Sequence, residues 1–565
     1  MRTIGVSLTL AVTLLTAVFT HFGPQKETRR IGAKAHRAIC IAAFLLGCFA
    51  RLIRLADLPG GISADEALVA AQAKSLWQTG GFLFSGGLTT HFAQWTGETC
   101  GPLLATITAP FVGIFGMNIL AVRLPLVLLS IAAMPFAYGL GEAIGGRRAG
   151  RWLLIVYALC PYFVLSARLT GGVQAAVCLV PMALCLMARG MKKPWALALG
   201  GMMMAMTAYA QDLYMMIAPA AIVICAGIAA AHGMKKRHAL LAALPGLALV
   251  IPALLTLYVN MTGAKGMTLF GMVEIPAIEG FIGTTSVLDT IATGADVGEA
   301  LRSKLWAVIS GGFFQILTHV NMSIAMYAPE GLVSLYLISL PLMLLGGLTL
   351  LSRRGALGHA RRTGAAVRTM AVCLFILHML LLVLYGSRGV LETQGTTSVY
   401  DFSVLLIFSA LLMTAGLCSI ERRSFLGAAV MKAMLLGSFC LLLVHMLGGS
   451  YQGNASMYFE GFGELSARAA QAHWETGAKV YVTDNVYPHV QPAQAAEMMY
   501  LYGSDADMEA AAGARGMRYE VVHMPSVQTQ ADAIYLARAD EIAQWALEGF
   551  SYEEAGNYAL LIPSP

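Results

Sequence analysis

Leu58-Pro59-Gly60-Gly61-Ile62-Ser63-Ala64-Asp65-Glu66-Ala67 directly follows an apolar run over residues 38–56 and places two adjacent carboxylates where that run ends. A run of this length can cross the hydrocarbon core of a bilayer as a helix. Because a charge beside the bilayer is costly, an ionisable pair at the end of a span is a candidate functional site. This stretch therefore marks both the boundary of a membrane span and a candidate reaction centre.

Composition places most of the chain in the membrane. Of its 565 residues, 58% are hydrophobic and only 12% are charged, and the mean hydropathy is +0.69. Soluble domains carry about 25% charged residues. We therefore expect an all-α polytopic membrane protein with about 12 transmembrane helices, formed from apolar runs at residues 4–22, 38–56, 119–141, 152–167, 173–188, 195–210, 213–231, 239–259, 331–351, 369–385, 402–420 and 433–447.

Lysine and arginine are concentrated in alternate loops between these runs. Residues 57–118 contain only Lys74, whereas the basic loops cover residues 25–37, 145–151, 189–193, 235–237, 353–368 and 422–423. By the positive-inside rule, the basic loops of an integral, multi-pass plasma-membrane protein are cytoplasmic. The loop with the carboxylate pair and the polar C-terminal tail are then extracytoplasmic. These short loops also account for the net charge of +6, which therefore does not indicate a nucleic-acid partner.

The chain divides by composition into three regions. Residues 1–37 are predicted to form an extra N-terminal transmembrane helix and a basic cytoplasmic loop, and we expect no cleavage because no small-x-small site follows the apolar run. Residues 38–448 are predicted to form a transmembrane core with a first outer loop at 57–118 and a large outer loop at 260–330. In the remaining region, residues 449–565, strands alternate with helices, which is typical of a small α/β domain. The predicted strands there are 479–483, 519–523, 533–537 and 558–562, and the helices are 492–502 and 541–547.

Two interfacial helices are predicted in the first outer loop. Residues 102–116 are apolar, but about 15 residues of helix reach only ~22 Å, which is short of a ~30 Å hydrocarbon core. Residues 64–78 fit an amphipathic helix on the membrane surface. Its apolar stripe is Val69, Ala73 and Leu76, flanked by Leu68 and Trp77, and its opposite face carries Lys74 and Gln78.

The two carboxylates are predicted to differ in role. Ser63-Ala64-Asp65-Glu66 fits a capping box, so Glu66 either caps the helix that follows or takes part in catalysis. Asp65 has no capping duty, and its ionised form is favoured near a helix N-terminus. An ionised carboxylate within hydrogen-bond reach of a substrate hydroxyl can act as a general base. Both residues are therefore catalytic candidates, with Asp65 as the base.

Isolated arginines at the outer ends of spans are candidates for binding phosphate. Arg168 ends the stretch from Pro161, and Arg388 lies in Gly386-Ser387-Arg388-Gly389. A guanidinium fork binds two phosphate oxygens at once, whereas the alternative for both residues is snorkelling to headgroups. Arg123, at the outer start of a span, is expected to pair with a carboxylate or a headgroup rather than to catalyse.

Polar residues of the outer loops are further candidates for substrate contacts. Asp212 lies in a short outer turn, where it either caps the next helix or touches a substrate. His91, Trp95 and Glu98 share the first outer loop and are candidates for contacts with an acceptor.

Taken in order, these features resemble those of type-C polytopic membrane glycosyltransferases, the superfamily of protein O-mannosyltransferases and aminoarabinose transferases. The resemblance covers residues 38–260 in sequence and the later chain only in layout. It depends on Leu58-Pro59 with Asp65-Glu66-Ala67, Gly101-Pro102-Leu103, Phe115-Gly116, Arg123-Leu124-Pro125, Pro161 and Ser166-Ala167-Arg168.

The resemblance implies an inverting transfer of a mannose-like sugar from a polyprenyl-phosphate carrier to a hydroxyl of a protein, glycan or lipid acceptor at the outer face. It implies that Asp65 is the catalytic base beside Glu66, and that Arg168 and Arg388 contact the phosphate. Many relatives carry a second acidic residue in the outer turn after the Ser-x-Arg region, but residues 169–174 contain none. No metal-binding motif is evident, and a divalent metal is the one cofactor left open.

Two other functions are compatible with a polytopic chain: a flippase for lipid-linked sugars, and a scaffold whose outer tail binds a partner. A transporter is expected to carry charges near the bilayer midplane and paired broken helices, whereas the charges here lie at span ends. A scaffold leaves the carboxylate pair unexplained. Sugar transfer is therefore the favoured prediction.

Overall fold

A computed structural model describes most of the proposed core and part of the C-terminal region. The described residues are 31–59, 62, 64–82, 87–93, 99–278, 297–307, 339–351, 362–385, 405–422, 425–448, 461–483, 519–522, 532–542, 545 and 548–564. The predicted N-terminal span at 4–22, much of the large outer loop and the predicted helix at 492–502 lie outside them.

Helices build the chain up to residue 448. In chain order they are α1 (Ala33–Leu52), α2 (Ala64–Thr79), α3 (Leu103–Phe115), α4 (Ile119–Leu159), α5 (Pro161–Ser166), α6 (Gly172–Gly190), α7 (Pro194–Met206), α8 (Tyr214–Ala231), α9 (Lys236–Thr262), α10 (Val297–Ala307), α11 (Ser339–Leu351), α12 (Arg362–Tyr385), α13 (Leu406–Glu421) and α14 (Phe425–Leu447), with a 3₁₀ turn at Thr207–Tyr209. Among the described helices, seven are long and apolar enough to cross a membrane, and α3, α11 and α13 are shorter apolar helices. The predicted polytopic helical membrane protein is thereby confirmed.

A sharp reversal divides α4 into two antiparallel halves. Gly146 has φ +76° and ψ −174°, a conformation that glycine adopts far more readily than other residues. A Cβ on Gly141 would lie 2.6 Å from the Ala149 carbonyl oxygen, and one on Gly150 would lie 2.8 Å from that of Tyr138. The two halves therefore pack backbone to backbone, and the predicted basic loop at 145–151 is a tight turn around Gly146 between them.

Contacts sort the loops into two ends of the bundle, in the predicted alternation. At one end, the first outer loop, which follows α1, contacts the turn after α5 and the segment after α9. The turn after the 3₁₀ segment lies against Gly101 and Gly172 at the same end. At the opposite end, Glu421 pairs with three basic residues, Arg148, Arg151 and Lys432. We name the first the outer end, following loop charge, and its placement outside the cell stays a prediction.

Helix α2 is buried over most of its length, so the predicted division into one apolar stripe and an opposite polar face is corrected. Ala67, Ala70 and Ala71 are fully buried, and Lys74 is only 8% exposed. The alanines belong to one apolar cluster with residues of α3, α4 and the C-terminal region. Because alanine side chains are short on every face, neighbours approach α2 from several directions, and a single apolar stripe does not describe it.

Short strands join the loops of the outer end. In the first outer loop, β1 (Leu88–Thr89) is followed by the antiparallel pair β2 (Phe92–Ala93) and β3 (Thr99–Cys100). After α9, the chain forms a hairpin of β4 (Met267–Leu269) and β5 (Val273–Ile275). Strand β5 also pairs in parallel with β1, so the hairpin and the first outer loop share one small sheet.

The C-terminal region forms a mixed five-stranded sheet. Its strands are β6 (Lys479–Thr483), β7 (Tyr519–Val522), β8 (Ala533–Arg538), β9 (Phe550–Ala555) and β10 (Tyr558–Pro563), in the order β7-β6-β8-β10-β9. Helix α15 (Phe462–Thr476) packs on one face, and α16 (Ala539–Ile542) follows β8. Four predicted strands are confirmed, whereas β9 and α15 were missed and the helix predicted at 541–547 is described at Ala539–Ile542.

Helices α11 and α13 pack at a point where each has a glycine. A Cβ added to Gly346 would strike the Leu412 carbonyl, and one added to Gly416 would strike that of Leu342. Small residues of this kind let transmembrane helices approach closely. A Cβ added to Gly347, the next residue of α11, would meet no described atom within 4 Å, so this position offers a matched control.

We expect Gly346→Ala to destabilise the protein by about 1–3 kcal/mol, because an added methyl group overpacks the interface. Gly347→Ala should leave stability equal or slightly higher, because alanine favours helix over glycine by about 0.5–1 kcal/mol. Thermal unfolding midpoints of the two purified variants in one detergent measure the difference. Equal midpoints would contradict the packing of α11 on α13.

Candidate functional site

Buried arginines satisfy backbone carbonyls where helices end at the outer end. The last four carbonyls of a helix have no partner within it, and they form the negative end of the helix dipole. The Arg51 guanidinium donates to the carbonyls of Tyr157 and Ala158, each at 2.9 Å, and to that of Gly47 at 3.1 Å. Its Nε donates to the Ser130 hydroxyl at 2.8 Å. Arg51 thus caps the second half of α4 from a position that the sequence did not single out.

Arg168 makes the same kind of contact with the end of α1. Its guanidinium makes five hydrogen bonds to backbone carbonyls, at 2.8–3.2 Å, and the acceptors are Ala50, Arg51, Arg54 and, twice, Leu58. A guanidinium has five N–H donors, so this set occupies all of them. The side chain is 1% exposed. The predicted direct contact of Arg168 with phosphate is therefore corrected: Arg168 positions the loop that leads from α1 to α2.

A buried ion pair joins α2 to α4. Arg123 Nε donates to Glu66 Oε1 at 2.7 Å and Arg123 Nη2 to Glu66 Oε2 at 2.9 Å, and both side chains are fully buried. Arg123 Nη1 also donates to the carbonyls of Leu55 and Pro59. The expectation that Arg123 pairs with a carboxylate is confirmed.

Glu66 also reaches the turn after α5. Its Oε1 accepts the Thr170 backbone N–H at 3.2 Å, and the Thr170 hydroxyl donates to the Val122 carbonyl at 3.2 Å. Both Glu66 oxygens are therefore engaged by other segments, whereas Ser63, the other member of the predicted capping box, lies outside the described residues. Asp65 is the second residue of α2, directly before this anchored position.

Two glycines bring the remaining outer turns into contact. A Cβ on Gly101 would strike the Tyr209 carbonyl, and one on Gly172 would strike that of Ala210. The turn after α7 therefore lies directly against the start of α3 and the start of α6. Asp212 lies in this turn, half-buried, one residue before Leu213 at the N-cap position of α8.

His91 is fully buried at the same place. It lies within hydrogen-bonding distance of the Ala208 carbonyl, at 3.0 Å from Nε2, and its ring stacks on that of Tyr209 with centroids 6.1 Å apart. Since the carbonyl only accepts, Nε2 carries the proton, which leaves Nδ1 without a partner among the described residues. Burial lowers the pKa of His91 to about 4. His91 is thus a neutral imidazole buried at the outer end, and its contact with an acceptor stays a prediction.

The other predicted site residues lie outside the described part of the chain. Arg388, Trp95 and Glu98 are not among the described residues, and of Asp65 only the backbone is described. Their roles stay predictions. Within the described ranges, His, Cys, Asp and Glu form no group of three or more that could hold a metal ion.

We expect Glu66→Gln to destabilise the protein by about 3–5 kcal/mol, because it leaves the Arg123 charge buried without a counter-charge. The control is Glu553→Gln, which breaks the pair with Arg468 whose side chains are 38% and 45% exposed. An exposed pair of this kind contributes about 0–1 kcal/mol. Thermal unfolding in detergent compares the two, and similar losses would show that the Glu66 pair is not a structural anchor.

The depressed pKa of His91 predicts a pH-dependent stability. Between pH 6.5 and about 4, the unfolded chain binds a proton that the folded chain does not, so stability falls as the pH is lowered through this window. The His91→Gln variant keeps an N–H donor but does not titrate. As the pH falls through this window, its free energy of unfolding should decrease by on the order of 3 kcal/mol less than that of the parent. Unfolding midpoints measured against pH test this. His238→Gln, at an exposed histidine, should follow the parent, and parallel curves for all three proteins would refute the assignment.

A segment in the N-terminal half of the sequence matches a known family model. The model is described as dolichyl-phosphate-mannose-protein mannosyltransferase, and it matches residues 100–255. This segment contains Arg123, Arg168 and Thr170, whereas Asp65 precedes it. No curated protein sequence matches the chain.

The fold is similar to that of solved membrane proteins. ArnT from Cupriavidus metallidurans bound to undecaprenyl phosphate shares 13% identity with a TM-score of 0.53, over 94% of this chain and 98% of that chain. The apo state of the same protein gives 13% identity and a TM-score of 0.45 over the same shares. An Archaeoglobus fulgidus oligosaccharyltransferase tethered to an acceptor peptide shares 12% identity with a TM-score of 0.49, over 82% of this chain and 63% of that chain. Scores below 0.5 add nothing to the fold assignment. The resemblance to type-C membrane glycosyltransferases is confirmed by the family model over residues 100–255 and by the fold shared with ArnT.

Proposed function

We propose that this protein is a glycosyltransferase that moves a sugar from a polyprenyl-phosphate carrier to an acceptor hydroxyl at the outer face of the membrane. The observation that carries the proposal is the anchoring of Glu66 by Arg123 and Thr170. Both partners lie in the segment that matches the mannosyltransferase family model. They fix the first turn of α2, and Asp65 is the residue next to this anchor.

The charge balance of the outer end supports an anionic donor. Arg51, Arg123 and Arg168 are at most 1% exposed, and among the described residues of this end the buried carboxylate is Glu66, which pairs with Arg123. Charges in a low-dielectric surrounding act over longer distances than charges in water. The resulting positive field attracts a lipid phosphate and also favours the ionised form of Asp65, as does the N-terminus of α2.

In the proposed step, the acceptor hydroxyl oxygen forms a bond to the anomeric carbon while the bond from that carbon to the phosphate oxygen breaks. The Asp65 carboxylate takes the hydroxyl proton, and the polyprenyl phosphate leaves with the electron pair. Attack from the face opposite the leaving group inverts the anomeric centre. Glu66 is a positioning residue in this scheme, and Arg388 stays the predicted direct contact to the phosphate.

The proposal includes the domain organisation. Residues 38–448 form the membrane core, and the region at 449–565 is an extracytoplasmic domain whose helix α15 shares an apolar cluster with α2 and α3. The acceptor is a hydroxyl of a protein, glycan or lipid, and the sugar is a mannose-like hexose or a related pentose.

We expect Asp65→Asn to lower transfer by about 10²–10⁴-fold, which is the usual contribution of a general base. The control is Asp57→Asn, at a carboxylate of the same loop that is 62% exposed, and it should retain most of the activity. The assay follows release of polyprenyl phosphate from a labelled polyprenyl-phosphate mannose or aminoarabinose in native membranes, which supply the acceptor. Equal release by both variants would remove Asp65 from the mechanism. Movement of the intact lipid across vesicles without release would favour a flippase.

A further inference from the structure

The hairpin that follows α9 ends in an exposed aromatic residue with a strained backbone. The Met272 N–H donates to the Leu269 carbonyl at 3.0 Å, and both residues between them have positive φ, +53° at Phe270 and +68° at Gly271. Turns of this type favour Asn-Gly, because asparagine tolerates a left-handed backbone. A bulky residue there is an outlier, so the fold keeps Phe270 at the tip despite its backbone cost.

The tip is apolar as well as exposed. Phe270 is 91% exposed and Met272 is 68% exposed. No charged residue occurs between Lys265 and Glu274. An aromatic side chain that is almost fully exposed, within an uncharged segment of a membrane protein, matches the chemistry of the membrane interface.

Hydrogen bonds show in which direction the hairpin points. Asn260, in the last turn of α9, binds the Pro276 carbonyl at 2.9 Å. One turn earlier in the helix, Thr256 contacts Thr90 through their hydroxyls at 2.5 Å, and the Thr90 N–H donates to the Glu274 carbonyl at 3.0 Å. Pro276 therefore lies beside Asn260, and Glu274 lies one helical turn further from the C-terminal end of α9, at the level of Thr256. The turn at 270–271 continues in that direction, away from the helix end and toward the membrane.

The helix beside the hairpin has a lipid-facing stripe that reaches the same level. Leu240, Leu244, Ile251 and Tyr258 are each 49–63% exposed, and their spacing of four and seven residues places them on one face of α9. Tyr258, near the outer end of that stripe, is placed as the interfacial aromatics of membrane helices are. The hairpin is held at Thr256 and Asn260, on the opposite face of α9, so its exposed tip is a second apolar surface near the outer end of this helix.

We propose that the turn at 270–271 inserts Phe270 and Met272 into the interfacial layer of the outer leaflet and anchors the first outer loop to the lipid surface. The connection is the sheet itself, because β5 pairs with β1 at Leu88 and Thr89, and the buried His91 follows two residues after Thr89. Backbone groups of the hairpin are paired within the sheet, so its entry into the headgroup region leaves few of them unsatisfied.

The test is a photo-crosslinking experiment on the full chain in phospholipid nanodiscs. Benzoylphenylalanine replaces Phe270 in one variant, Tyr258 in a second as the lipid-facing reference, and Tyr552, in β9 of the C-terminal sheet, in a third. Mass spectrometry of tryptic peptides should find phospholipid adducts at 270 with a yield close to that at 258 and severalfold above that at 552. A yield at 270 no higher than at 552, or adducts to a second copy of the chain instead, would overturn the proposal.

A second variant tests the anchoring itself. Phe270→Asn suits the left-handed turn and so preserves the fold while removing the aromatic ring. In nanodiscs, amide hydrogen exchange of residues 88–90 should become faster than in the parent, whereas residues 479–483 of the C-terminal sheet should not change. Unchanged exchange at 88–90 would show that the tip does not hold the loop. Neither readout depends on sugar transfer, so failure here is separate from failure of the proposed function.

Discussion

The outer end of this protein depends on buried guanidinium groups that satisfy the carbonyls of helix ends. In an apolar surrounding, each unpaired backbone carbonyl costs several kcal/mol, and so does each buried charge without partners. Arg168 and Arg51 resolve both costs together, because their donors meet the carbonyls at the ends of α1 and α4. Since the same Arg168 fork also holds the carbonyl of Leu58, the segment between α1 and α2 is fixed by the helix ends on which it lies.

The ion pair of Glu66 with Arg123 extends this frame to α2. It ties α2 to α4, and the bond to Thr170 ties both to the turn after α5. The adjacent carboxylates of the sequence thereby separate into a fully buried structural group and Asp65, which lies one residue closer to the helix N-terminus. A general base must be held within hydrogen-bond reach of its substrate, and in the proposed mechanism the bonds of Glu66 to α4 and to the turn after α5 provide that rigidity beside Asp65.

The sequence predicted features that depend on local composition and missed those that depend on distant partners. Apolar runs and alternating loop charge were sufficient for the polytopic architecture, and β-branched and aromatic runs located four strands of the C-terminal sheet. Arg168 was interpreted as a phosphate ligand because its span-end position is visible in sequence, whereas the carbonyls that occupy it belong to residues more than a hundred positions earlier. The burial of α2 was missed for a related reason, since the alanines that line it gain neighbours only when α3, α4 and the C-terminal domain assemble.

The occupied donors of the buried arginines also bear on how the outer end would attract an anionic lipid. A guanidinium whose five donors are already used still contributes its charge, but it offers no fork to a phosphate. In the proposed function, the attraction is then a field rather than a fixed contact, and it acts on the lipid-linked substrate and on the departing polyprenyl phosphate alike. Binding the two equally tightly does not accelerate the chemical step, so a diffuse attraction suits the proposed function, in which a charged lipid is released after each transfer. Selectivity for the transition state then rests on groups placed against the reacting bond, of which Asp65, held by the anchored first turn of α2, is the one proposed here.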